Sequence, residues 1–126
     1  MDEVLILFLP LLINICHPAS RECVRSLSRI THHARVTQCL GAIGNESWFM
    51  AVAAPDSDPD ETNMQAFEIP PGVFVKLEVG TWHAGPYFTA PQMDFYNLEH
   101  KDTNISDHIN KDWSDREFCI VRDGER

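Results

Sequence analysis

Between residues 36 and 121, apolar and polar side chains change places every second residue in short runs. Glycine and proline break the runs, and no stretch carries a long 3.6-residue period. A period of two is the mark of a strand with one buried face, whereas a helix needs apolar residues three and four apart. Val36, Gln38, Leu40 and Ala42 alternate with Thr37, Cys39 and Gly41, and Gly44-Asn45-Glu46 then turns the chain. Residues 48–54 form a continuous apolar run, which predicts a strand covered on both faces. Residues 55–63 hold Pro55, Asp56, Asp58, Asp60 and Glu61 and read as a solvated loop, without the glycine and spaced ligands of a calcium loop. Further strands are predicted over 66–69, 73–79, 82–88, 94–98 and 118–121, with a polar, irregular stretch at 104–115. Six or seven short strands with turn signals between them predict an all-β sandwich or barrel.

The chain has 126 residues, enough for one domain with a real core. Its net charge of −9 is unevenly placed: four arginines face three acids in residues 1–35, and six basic face sixteen acidic groups thereafter. Such a body repels phosphate at long range, so direct nucleic-acid binding is not expected. The four cysteines, Cys16, Cys23, Cys39 and Cys119, form no Cys-x-x-Cys. They read as reduced thiols, with Cys39 and Cys119 as small buried residues in apolar strands.

Residues 4–15 are nearly all apolar, broken by Pro10 and Asn14. This is shorter than the roughly 20 residues that span a bilayer, so no membrane span is expected. It has the length of a signal-peptide core, but Asp2 and Glu3 precede it, and His17 and Pro18 precede a cut after Ala19. The expectation is an intracellular chain, for which the formal glycosylation sites at Asn45 and Asn104 have no meaning. Residues 1–28 read as a divergent apolar and basic segment whose fold is left open, and 29–126 as one domain.

Two clusters carry possible chemistry: Thr31-His32-His33-Ala34-Arg35-Val36-Thr37-Gln38 and Gly80-Thr81-Trp82-His83. A glycine lets the backbone turn sharply, and three residues later a histidine enters a strand and can point inward. Gly80-x-x-His83 resembles part of the second cupin motif, and His33 followed by Gln38 has the spacing of a histidine and the glutamate in the first. Thr31 and Gln38 then stand where a metal-binding cupin has His and Glu, so no metal and no cofactor are expected. The order His33-x-x-x-Thr37-Gln38, Ala66-Phe67, Trp82-His83 and Asp94-Phe95 resembles the ureidoglycolate lyase (ureidoglycolate hydrolase) family over about residues 29–121. The chain departs from that pattern at Thr31-His32, Ala84 and His100, where the family carries Glu-Arg, a second histidine and an arginine.

The resemblance implies a cupin-like double-stranded β-helix, a jelly-roll barrel incomplete at its N-terminal edge. Open strand edges in turn favour a homodimer. It also implies release of urea from ureidoglycolate to leave glyoxylate. An imidazole suits either proton transfer, which makes His83 the first catalytic candidate and His33 the second. Gln38 would hydrogen-bond the small anionic substrate, and Arg35 and Lys76 are the candidate cations for its carboxylate. Structural readings stand beside these: His83 as a core histidine satisfied by a backbone carbonyl, Lys76 beside Glu78 on the solvent face, and Arg35 paired with a surface carboxylate. The wording around His33 and His83 also resembles plant members of the group. Some of these associate with the plastid transcription apparatus, so a non-catalytic subunit is the alternative function, and the compartment is plastid or cytoplasm.

Overall fold

A computed structural model describes residues 13–16 and 23–122. Apart from its last residues, the apolar N-terminal stretch lies outside them. The strands are β1 (Ile13–Cys16), β2 (Cys23–Leu27), β3 (Arg29–His32), β4 (Gln38–Ile43), β5 (Trp48–Ala53), β6 (Gln65–Ile69), β7 (Phe74–Leu77), β8 (Trp82–Tyr87) and β9 (Asp94–Leu98). A single helical turn, α1 (Thr103–Ser106), leads to β10 (Ile109–Asp112) and β11 (Phe118–Arg122). One sheet runs β10-β3-β8-β5-β6-β1-β11-β2 and a smaller one runs β7-β4-β9. The fold is all-β, as the alternating pattern predicts, and its two sheets form the cupin-like jelly roll that the resemblance implies. No helix among the described residues is long and apolar enough to cross a membrane.

The continuous apolar run of β5 is explained by its place in the middle of the large sheet. Phe49, Ala51 and Ala53 pack with Leu27, Ile30, Ala84, Phe118 and Ile120 on one face. Trp48 and Met50 pack with Leu40, Ala42, Ile69, Val75 and Leu77 on the other, between the two sheets. That second core is the barrel interior. In β4 the inward residues are Gln38, Leu40 and Ala42, as the period-two pattern requires. Leu40 stands opposite Asn97 and Ala42 opposite Phe95; Phe95 is half-buried on that side of β9, and Asn97 is exposed at the rim. The outer face of the small sheet carries Ile43, Phe74, Tyr96 and Leu98, all exposed. Phe74 and Tyr96 stack there at 5.9 Å, above Gly41.

Two expectations change, and the open N-terminal segment gains a place. The segment before residue 29 contributes β1, which pairs with β11 and β6, and β2, which pairs with β11. The stretch at 104–115, read as irregular, contains α1 and β10. β10 pairs with β3 along its whole length, but three of its four residues are exposed, so it shows no apolar alternation. The cysteines are not all reduced thiols: Cys23 and Cys119 form a disulfide, with Cα atoms 5.3 Å apart. They are 96 residues apart in sequence and are brought together by the pairing of β2 with β11, within the span a disulfide bridges. Cys119 is fully buried as expected, while Cys39 is free and half-buried.

At the crossing of β5 and β8 the register shifts between Phe49 and Ala51. Gly85 takes φ +119° there, and a Cβ on it would lie 3.0 Å from the Phe49 carbonyl oxygen. Gly85→Ala is expected to cost about 1–3 kcal/mol, read as a lower urea midpoint at unchanged m. Intact mass of unreduced protein should fall two hydrogens below the fully reduced value. A mass equal to the reduced value would remove the Cys23–Cys119 bond.

Candidate functional site

A histidine stands at each of the two motifs, and the fold joins them through the backbone. Gly80 takes φ +83°, and its N–H donates to the His33 carbonyl oxygen at 2.7 Å. The chain then enters β8 at Trp82, with Val52 opposite His83, so His83 shares the face that Val52 packs against the barrel core. His33 lies on the turn between β3 and β4. The His33 and His83 rings are 5.0 Å apart centre to centre, and His108 lies 5.6 Å from His33. Gln38 is buried beside them, with Oε1 3.1 Å from His33 Nε2.

Asp107 builds the turn. Its carboxylate accepts the N–H groups of Ala34 at 2.7 Å and Arg35 at 2.9 Å, and its main-chain oxygen lies 2.7 Å from His33 Nδ1. Burial pushes the Asp107 carboxyl up, but the Arg35 and Ala34 N–H groups and the positive charge of Arg35 outweigh it and hold the group below the usual carboxylate range. The His83 ring has one weak polar contact, 3.4 Å from Nδ1 to the Thr81 carbonyl oxygen. Burial lowers it first; the Thr81 oxygen opposes this, and His33, His108 and His32 lower it further, to about 4 from 6.5. At neutral pH His83 is therefore an uncharged imidazole able to accept a proton.

A pocket of about 220 Å³ opens beside this cluster, lined by Arg29, Thr31, His83, Gly85, Tyr87 and His108. The Arg29 guanidinium also meets Asp112 at 2.6 Å, across the β3–β10 pair. The candidate cations named from the sequence lie elsewhere. Arg35 is exposed, donates from Nη2 to the Ser106 carbonyl oxygen at 2.8 Å, and lines a different groove with His100, Thr103 and Asp107. Lys76 lies on the face of β7 opposite Val75 and Leu77, 3.6 Å from Glu78, beside an apolar cleft lined by Met50, Val52 and Phe67. The period-two alternation turns it away from the histidines.

The residues do not form a cupin metal centre. Both ring nitrogens of His33 are engaged, one with the Asp107 main-chain oxygen and one with Gln38 Oε1, and Gln38 turns its oxygen to that ring instead of to a point shared with His83. Among the described residues no three His, Cys, Asp or Glu side chains are grouped to hold an ion.

The model of the family described as ureidoglycolate lyase matches residues 11–120. The chain belongs to the ureidoglycolate lyase family. The match begins before β1 and ends within β11, so it takes in the strands on both sides of residue 29. No curated protein matches the chain.

Of the residues expected at the site, the fold brings His33, Gln38 and His83 together. The motifs missed Arg29, Asn97, Asp107 and His108. Arg29 stood in a basic stretch with no motif, and Asp107 and His108 in a stretch with no strand signal.

The lowered His83 has a thermodynamic consequence. Between pH 6.5 and about 4 the unfolded chain binds a proton that native His83 does not, so stability falls as pH falls through that window. The loss reaches about 3 kcal/mol at its acid end. Urea unfolding at a series of pH values should show this slope in the wild type and a shallower one in His83→Gln. Equal slopes would mean that His83 is not held neutral by the fold.

Proposed function

We propose that the protein releases urea from ureidoglycolate and leaves glyoxylate, in the pocket between Arg29, Thr31, His83 and His108. The observation that carries the reading is the buried, uncharged His83 on the wall of that pocket, in a chain of the ureidoglycolate lyase family.

The substrate carries a hydroxyl, a carboxylate and a ureido nitrogen on one carbon. His83 takes the hydroxyl proton. The O–H electron pair becomes the second bond of the new carbonyl, and the C–N pair leaves with the ureido nitrogen. The imidazolium formed on His83 is a strong acid, because burial disfavours its charge. It gives the same proton to the departing nitrogen, so urea leaves neutral and His83 returns to its starting state. Arg29 is the cation for the substrate carboxylate, in place of Arg35 and Lys76, since it alone of the three lines the pocket with His83. His33 and Gln38 are fixed by their own hydrogen bonds and hold the wall of the site.

The exposed Ile43, Phe74, Tyr96 and Leu98 on the small sheet support a homodimer formed through that face. Nothing in the fold or in the family match favours the non-catalytic alternative.

Purified protein incubated with ureidoglycolate should release glyoxylate faster than the spontaneous reaction. His83→Ala should lower kcat by about 10²–10⁴-fold, the usual range for losing a general acid or base. Arg29→Met should act mainly on KM. Release no faster than background from a protein with intact circular dichroism would eliminate the lyase reading, and a full-rate His83→Ala would move the proton transfer to another group.

A further inference from the structure

β3 and β8 are joined at a single pair, Thr31 opposite His83, and the pocket lies beside that join. Past Gly85, β8 reaches Tyr87, which lines the same pocket as Arg29 and His83. From Ala84 to Tyr87, β8 advances three residues while β5 advances two, from Ala51 to Phe49. The extra residue turns Tyr87 to the face of Ala84, so its ring packs against the core of Phe49, Ala51 and Phe118. The Arg25 guanidinium, from β2, covers that ring at 4.9 Å from its centre. The ring is thus fixed by the core and by a cation, and neither contact uses the hydroxyl. Among the described residues the hydroxyl has no hydrogen-bond partner, and it is not sealed from solvent. Burial pushes the phenol up, and the charge of Arg25 opposes this only in part, so Tyr87 carries its proton at neutral pH.

The substrate brings three groups to this pocket. Arg29 meets the carboxylate and His83 takes the hydroxyl proton, which leaves the ureido group, whose oxygen needs a donor. Thr31 is not that donor, because its Oγ1 already donates to Asn110 Oδ1 at 2.6 Å. His108 is exposed at the rim, where water competes for its ring. The demand on the ureido oxygen also grows during the reaction. As the C–N bond breaks, its electron pair spreads over the departing nitrogen and that oxygen, so a donor there is held most tightly in the transition state. We propose that Tyr87 is a further catalytic residue: its hydroxyl donates a hydrogen bond to the ureido oxygen and stabilises the charge that gathers there as the C–N bond breaks. The proposal rests on the lyase reading. Tyr87 keeps its own proton throughout, and the proton that reaches the nitrogen is the one carried by His83. The positive charge of Arg25 makes the O–H a better donor than burial alone would leave it.

Tyr87→Phe keeps the ring, its core packing and the Arg25 contact, and removes only the hydroxyl. It should lower kcat by about 10²-fold, as loss of one donor to a developing oxyanion does. Binding is read separately by calorimetry with oxalurate, which has the carboxylate and the ureido group but a carbonyl at the reacting carbon, so it cannot eliminate urea. The wild type should bind oxalurate, and Tyr87→Phe should bind it about tenfold more weakly. Glyoxylate, which lacks the ureido group, should bind both proteins alike. A full-rate Tyr87→Phe would overturn the proposal, as would equal oxalurate affinity in the two proteins, or a loss of glyoxylate binding as large as that of oxalurate. Failure of the wild type to bind oxalurate would overturn it with no variant needed. If the wild type binds oxalurate through Tyr87 but releases no glyoxylate above background, the lyase reading falls and the contact of Tyr87 with the ureido oxygen stands.

Discussion

The mouth of the barrel depends on one carboxylate. Asp107 is buried, and a buried charge is tolerated only where donors surround it. It finds them in two successive backbone N–H groups on the far side of the sequence, and the cost of leaving it unpaired is what holds the turn after β3 in place. Its main-chain oxygen then fixes the His33 ring, and His33 fixes Gln38. Without this clamp the turn from β3 to β4 would be an ordinary exposed loop. With it, that turn becomes one wall of a site that also receives His83 from β8 and His108 from the residue just before β10.

The interior divides into two parts along its axis. Trp48, Met50, Ile69, Val75 and Leu77 fill the closed part with apolar packing, while His33, Gln38 and His83 are buried at the open part and Asn97 and His108 stand exposed at its rim. This arrangement gives His83 its character. It is near enough to the apolar floor to lose its hydration, and near enough to other imidazoles for a second positive charge to be opposed. Low dielectric and like charge act in the same direction on it, and a single backbone oxygen at 3.4 Å is too weak a partner to reverse them.

The architecture was legible wherever burial imposed a period. β4 through β9 and β11 follow runs visible in the sequence, because each has one or both faces against an apolar core. Legibility failed where burial was absent or polar. β10 is an edge strand of exposed residues, so it pairs through its backbone and leaves no pattern in its side chains. β9 carries no burial period near the site: Tyr96, Asn97 and Leu98 are all exposed, so nothing in the pattern marks Asn97 as the partner of Gln38. The same reason explains the site residues. His33, Gln38 and His83 stood in motifs with recognisable spacing, whereas Arg29 and Asp107 matter only through partners about 70 to 80 residues away.

The hydrogen bond from Gly80 to His33 joins the two motif turns without any side chain taking part. Such a link is indifferent to which residues occupy the turns but sensitive to their length. A residue inserted into either turn would shift the bond out of register and move both histidines together, whereas side chains around it can change without disturbing the join. For engineering, this makes the two turns one unit of fixed backbone length and open composition. New specificity is best sought by changing the side chains that line the pocket, and loop grafting into either turn is the change this barrel would least tolerate.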